Sequence, residues 1–290
     1  MKVRKAVIPV AGLGTRFLPF TKSVPKEMLP IVDTPAIQLI VEEALEAGIE
    51  DILFITNRGK SAIENHFDRA VELEVNLESK GNKEELKKVR DIADLCNIFY
   101  IRQKETKGLG HAILCAKKFI GDEPFAILLG DDLCYNDKTP AIGQLINEFE
   151  KRESSILGCR EVSDEEIVRY GSLGGKKLSD KVYKVDFLVE KPKLEEAPSN
   201  IGVVGRHVLR PEIFSYLEKT EPGYGGEIQL TDAMDMMAKD MDVFGYVFDG
   251  IRYDTGDKLG YLTAVCEYAL RDPNLKDDFK EYLINLIKDL

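Results

Sequence analysis

Apolar and polar residues along the chain alternate between two rhythms. Ala6-Val7-Ile8-Pro9-Val10 is a short unbroken apolar run that stops at glycines, the pattern of a buried strand opening into a ligand loop. Ile37, Ile40, Val41, Ala44 and Leu45 then recur at helical spacing until Gly48, and Thr34-Pro35 predicts the N-cap and first helical residue. Strands are predicted at 51–56, 98–101 and 125–129, with helices at 61–67 and 109–119 between them. Strand, helix and strand in this order imply parallel pairing.

Residues 72–94 are charge-rich around Gly81-Asn82, which predicts an exposed helical excursion. A helix near 141–149 leads into strands at 155–161, 182–189, 201–208 and 243–248. Amphipathic segments lie at 211–217, 229–239 and 259–269, and 277–290 closes with a helical pattern. With no Pro/Ser linker in sight, the expectation is one α/β domain over residues 1–270 and a helical tail at 271–290.

Composition narrows the function classes. In 290 residues, 44% apolar and 31% charged content suits a chain with a sizeable core and excludes disordered or low-complexity readings. Forty basic against 51 acidic residues leave a net charge of −11, which repels polyphosphate backbones, so nucleic acid is not expected as a partner. No stretch approaches the roughly 18 apolar residues of a membrane span, and the five apolar residues after Lys5 are too few for a signal-peptide core, so no membrane partner and a cytoplasmic location are expected. Five widely spaced cysteines without a C-x-x-C pair predict reduced, mostly buried thiols.

The chemistry begins after the first strand. Gly12-Leu13-Gly14 invites a dinucleotide fingerprint, but Phe17 stands where the third small residue belongs, and no Gly-Lys-Ser/Thr follows for a Walker loop. Two glycines in Ala11-Gly12-Leu13-Gly14-Thr15-Arg16 let backbone N–H groups approach an anion, and a guanidinium follows directly. Ten residues on, prolines 19, 25 and 30 stiffen a segment that presents Lys26, a point charge suited to phosphate. Asp131 ends an apolar strand, where open sheets bind ligands, although an aspartate there also suits a turn. Asp257 suits a helix cap, Glu190-Lys191 suits a surface ion pair, His111 a structural role, and Met234, Met237 and Met241 a core stripe.

Ala11-Gly12-Leu13-Gly14-Thr15-Arg16 together with Pro25-Lys26-Glu27-Met28-Leu29-Pro30 resembles the sugar-1-phosphate nucleotidyltransferases. The resemblance continues through Gln103, Gly108-Leu109-Gly110-His111, Leu129-Gly130-Asp131-Asp132, Val189-Glu190-Lys191-Pro192, Pro198-Ser199-Asn200, Glu227-Ile228-Gln229-Leu230-Thr231-Asp232 and Asp254-Thr255-Gly256-Asp257-Lys258, over residues 4 to about 270. Gly226 departs from the expected Asn or Asp, which touches only a local turn.

The resemblance implies a Rossmann-like open, mostly parallel mixed sheet flanked by helices. It also implies the reaction UTP + glucose 1-phosphate → UDP-glucose + pyrophosphate, aided by Mg2+. By resemblance, Ala11, Gly12, Gly14 and Thr15 hold the nucleotide, Gln103 and Gly108 meet the uracil, and Arg16, Lys26 and Lys191 supply catalytic charge. Gly171, Glu190 and Asn200 are implied for the sugar, Asp131 and Asp254 for the metal, and a homodimer or homotetramer for the assembly. A thymidylyl or N-acetylglucosamine 1-phosphate enzyme, a nucleotide-cofactor oxidoreductase and a non-catalytic nucleotide-sugar sensor remain as alternatives.

Overall fold

The computed structural model describes residues 1–288, and positions 289–290 of the expected tail helix lie outside the described residues. The strands are β1 (Lys5–Pro9), β2 (Pro30–Ile31), β3 (Thr34–Pro35), β4 (Asp51–Thr56), β5 (Asn97–Arg102), β6 (Phe125–Leu128), β7 (Asp132–Tyr135), β8 (Ser155–Glu161), β9 (Gly171–Lys177), β10 (Val182–Glu190), β11 (Ile201–Leu209), β12 (Val243–Val247) and β13 (Ile251–Asp254). The helices are α1 (Ala36–Glu46), α2 (Ser61–Phe67), α3 (Val71–Ser79), α4 (Lys83–Ala93), α5 (Leu109–Leu114), α6 (Lys117–Ile120), α7 (Ala141–Arg152), α8 (Asp164–Ile167), α9 (Ile213–Leu217), α10 (Leu230–Asp240), α11 (Lys258–Arg271) and α12 (Lys276–Lys288).

Nine strands form one mixed sheet in the order β5-β4-β1-β6-β11-β8-β12-β10-β9. Seven run the same way, and β10 and β11 run against them. Side chains alternate across the strands, so Ile8, Ile52 and Phe54 pack with α1 and α7, while Val7, Leu53 and Ile55 pack with α5, α9 and α10. Covering both faces makes the central strands unbroken apolar runs; each fully buried Val, Leu or Ile there contributes about 1.5–3 kcal/mol.

This topology assembles one crevice. β1 and β6 are parallel neighbours, so the loops after Pro9 and Leu128 leave the sheet at the same end. β11 extends past that end, and its first residues pair with β9 at Gly202–Ser172 and Val203–Gly171. The partner of Gly171 on β10 is Glu190, which therefore arrives at the same place. β7 and β13 form a separate two-stranded ribbon that sets Asp132 opposite Asp254.

Several expectations are corrected. Thr34-Pro35 does not start α1; it pairs with Pro30-Ile31 in a tight hairpin, and the helix begins at Ala36. The predicted helix 109–119 is two helices, α5 and α6, with Cys115 and Ala116 between them. β7, β9 and β13 were not predicted: two have only four residues, and β9 is interrupted by glycines. Gly174 and Gly175 are required there, because an added Cβ would lie 2.4 Å from the Phe187 ring and 2.0 Å from the Lys184 carbonyl oxygen. The charged excursion does form, as α3 and α4, and it buries Glu74 between Arg69 and Arg90. Met234 and Met237 are core residues as expected, whereas of the five free cysteines only Cys159 is fully buried.

Candidate active site

After β1 the backbone turns left-handed at Gly14 (φ 66°) into a short 3-10 turn, Thr15–Phe17. The turn aims Arg16 at the other end of the chain, where its guanidinium donates to the Gly256 carbonyl at 3.1 Å. A second 3-10 turn, Lys26–Met28, carries Lys26 inward to an ion pair with Asp131. Its neighbour Glu27 is 1% exposed and accepts from the buried Lys60 ammonium at 2.6 Å, which anchors the turn. Burial pulls the Lys26 ammonium down, but the charges of Asp131 and Glu27 outweigh it and hold the group above its ordinary pKa. Burial likewise pushes Asp131 up, and Lys26, with help from Arg252, holds it below the ordinary carboxylate value.

Two cavities open here. One, of about 300 Å³, is lined by Ala11, Gly12, Lys26, Gln103, Gly108 and Asp131, among others. The second, of about 310 Å³, is lined by Arg16, Asp131, Gly171, Glu190, Lys191 and Asp254, among others. They share Leu109, Leu129, Asp131 and Glu227, so the aspartate paired to Lys26 stands at their junction. Gly14, Thr15 and Asn200 line neither cavity; the Asn200 amide donates to Asp164 at 2.7 Å on the surface.

Gln103 is buried at the wall of the first cavity, and its amide nitrogen donates to the Gly108 carbonyl at 3.1 Å and lies 2.9 Å from His111 Nδ1. His111 thus orients Gln103, in keeping with the structural role expected of it. Gly108 sits at φ 101°, and an added Cβ would lie 2.7 Å from both the Glu227 Cβ and the Ile228 carbonyl oxygen. Its glycine is demanded by the crossing of 107–110 against 227–229, where Gly110 N–H donates to Ile228 O and Ile228 N–H to Lys107 O, each at 2.8 Å.

On the second cavity, Lys191 adopts φ 42°, a strained conformation for lysine that its N–H bond to the Tyr170 carbonyl at 3.1 Å helps to hold. Its ammonium lies 3.4 Å from Glu190 and 5.0 Å from the Tyr224 ring centroid. Glu190 and Lys191 therefore form the ion pair the dipeptide suggested, but on a cavity wall. Asp257 accepts from Leu259 N–H and Gly260 N–H and caps α11, the alternative its spacing allowed.

Asp131 and Asp254 suit a hard cation. Asp131 Oδ2 and Asp254 Oδ1 lie 2.8 Å and 3.0 Å from the point that a Cβ on Gly256 would occupy, so the missing side chain opens a cradle edged by two carboxylates. Mg2+ takes one or two carboxylates and leaves other positions to phosphate and water, and the donor set fits it. Burial pushes Asp254 above its ordinary value, Arg252 opposes this, and the charges of Asp132 and Asp131 add to it. Thr255 clamps Asp131 from behind, its N–H and hydroxyl donating to the Asp131 carbonyl at 2.8 and 2.9 Å.

Residues that sequence reasoning left unassigned complete the support. Arg252 pairs with Asp132 and donates to the Tyr170 hydroxyl at 2.7 Å, and Asp132 Oδ2 accepts from Gly205 N–H at 2.9 Å. Glu227, a wall of both cavities, lay in a quoted motif, but neighbourhood along the chain gave it no role. Arg206 and Glu43, which meet behind Asp132, and Arg252, which lines the second cavity, carried no signal, because only folding brings them to the site.

The glycine loop, the paired carboxylates and the two-part crevice lie together at the carboxyl ends of β1 and β6, and the sequence profile of the Nucleotidyl transferase family matches residues 5–270. The chain belongs to that family. It is 54% identical to the UTP–glucose-1-phosphate uridylyltransferase of Bacillus subtilis (strain 168), over 99% of this chain and 98% of that one. It is equally 54% identical to the enzyme of that name from Staphylococcus haemolyticus, over 100% and 99% of the two chains. Among solved structures, UTP-bound UGPase from Acinetobacter baumannii superposes with a TM-score of 0.91 at 41% identity, covering 98% of this chain and 99% of that one. A UDP-glucose pyrophosphorylase complexed with UDP-glucose superposes at 0.85 with 44% identity, covering 93% and 100%.

Proposed function

We propose that this enzyme transfers a uridylyl group from UTP to glucose 1-phosphate, releasing pyrophosphate, with Mg2+ and by in-line attack of the sugar phosphate on the α-phosphorus. The single observation that carries the reading is the meeting of two cavities at the Lys26–Asp131 pair, one bordered by the glycine loop and Gln103, the other by Glu190 and Lys191. The similarity to uridylyltransferases over the full chain supports the choice of UTP and glucose 1-phosphate.

The attacking phosphate oxygen is an anion near neutral pH, so the site needs no base to activate it. The obstacle is mutual repulsion between two polyanions and the charge passing to the departing pyrophosphate. Ala11, Gly12 and Gln103 would receive the nucleoside, with the Gln103 carbonyl oxygen left for the base because its NH2 is engaged by Gly108 and His111. Lys26 at the junction would bridge the α-phosphate and the incoming phosphate, Arg16 would face the triphosphate, and Lys191 would neutralise the sugar phosphate. Glu190 would accept from sugar hydroxyls. Asp131 and Asp254 would hold Mg2+, which when bound supplies charge neutralisation of the phosphates.

Pyrophosphate release on mixing UTP, glucose 1-phosphate and Mg2+ tests the reading, and a matrix of four nucleotides against several sugar phosphates tests its specificity. Faster turnover with dTTP or with N-acetylglucosamine 1-phosphate would transfer the assignment to those rivals. We also propose a homodimer or homotetramer, supported by the exposed apolar Tyr282, Ile284 and Ile287 on α12, and light scattering of the purified chain checks it.

A further inference from the structure

We propose that Lys26 and a divalent cation exchange on a single oxygen of Asp131, so that in the ligand-free enzyme the lysine is the resident cation of the metal cradle and weakens its affinity for metal. This rests on the magnesium-dependent reading above. Asp131 Oδ2 is the atom that accepts from Lys26 Nζ, and it is the same atom that faces the cradle at Gly256 across from Asp254 Oδ1. An ammonium and a divalent ion on one carboxylate oxygen repel each other strongly in a partly desolvated cleft, so one displaces the other. Arg16 rests on the rim of the same cradle, at the Gly256 carbonyl, and adds to the positive charge a metal meets on arrival.

The displaced lysine has a defined destination. Its other acidic neighbour, Glu27, is held by Lys60 at 2.6 Å inside the protein, so it is not free to take up the ammonium. Phosphate entering the junction of the two cavities is the counter-ion that remains. Metal binding and release of Lys26 toward phosphate are therefore one event, and cation and nucleotide bind with positive coupling.

Mn2+ binding to the nucleotide-free, full-length enzyme, read by electron paramagnetic resonance of the free ion at fixed pH, tests this. Lys26→Met keeps the aliphatic stem and removes the charge; it is expected to bind Mn2+ about tenfold or more tightly than the wild type. Lys26→Arg keeps the charge and is expected to stay within about threefold of it. Lys26→Gln repeats the measurement should the methionine variant fail to fold. Binding by the uncharged variants no tighter than wild type, including none detectable in either, overturns the exchange. Wild-type turnover that persists unchanged in EDTA overturns instead the magnesium reading beneath it, so the two failures are told apart.

Discussion

Arg206 and Glu43, 163 positions apart in the chain, meet in the core behind the cradle through a forked contact whose shortest arm is 2.7 Å. Arg206 has no exposed surface, and the same guanidinium donates to the Asp132 carbonyl at 2.6 Å and the Gly205 carbonyl at 2.9 Å. Glu43 also accepts from Ile142 N–H at 3.0 Å, so one ion pair ties α1, α7, β7 and β11 together. Its place fixes the register of β7, which begins at Asp132 directly after Asp131, with any gain in stability offset by the desolvation of both charges.

Arg206→Met should therefore destabilise the protein by about 3–5 kcal/mol, since it strands a buried carboxylate. Arg206→Met with Glu43→Leu should recover much of that loss. Denaturant titration of both variants checks this, and a double variant no more stable than the single one would count against the pair as the cause.

His207 is buried on β11, its Nδ1 has no partner among the described residues, and burial with the Arg206 charge lowers its pKa from 6.5 to about 3. The unfolded chain takes up this proton below about pH 6.5 while the native state does not until about pH 3, so the unfolded state holds more protons across that window. Stability should fall on acidification through it, by up to about 1.4 kcal/mol per pH unit from this group. His207→Phe should flatten the slope, as urea midpoints between pH 7 and 4 will report; an unchanged slope removes His207 from the account.

Gly256→Ala would push a methyl group to within 3.0 Å of Asp131 Oδ2 and Asp254 Oδ1. The Mg2+ concentration for half-maximal turnover should rise roughly 10–100-fold, with the melting temperature little changed. An activation curve matching the wild type would mean that the cradle is not where the metal acts.

The two cavities predict separable defects. Gln103→Leu should raise KM for UTP about tenfold and spare glucose 1-phosphate, and Lys191→Met should do the reverse. Initial-rate kinetics with each substrate varied in turn settle the division, and equal effects on both KM values would contradict it.

Much of this was written in local pattern. Apolar runs announced β1, β4 and β6 because both faces of the sheet are covered, and the glycine loop with Arg16 and the proline-stiffened Lys26 led to the proposal of a phosphate site because anion binding demands those residue types. β9 was not legible, since its glycines are dictated by the Phe187 ring and the Lys184 carbonyl across the strand pair. Thr34-Pro35 read as a helix start because capping is local, whereas its pairing to Pro30-Ile31 depends on the hairpin.

Chemistry that acts through neighbours along the chain could be read from residue order: strands, helices, a glycine loop, a charge beside a rigid turn. The encounter of Lys26 with Asp131, of Asp131 with Asp254 across Gly256, and of Arg206 with Glu43 depended on the pairing of β1 with β6, of β6 with β11 and of β7 with β13. Those contacts join residues from 105 to 163 positions apart or lie across a ribbon, and no periodicity encodes them, because hydrophobic spacing states which face is buried and not which distant segment buries it.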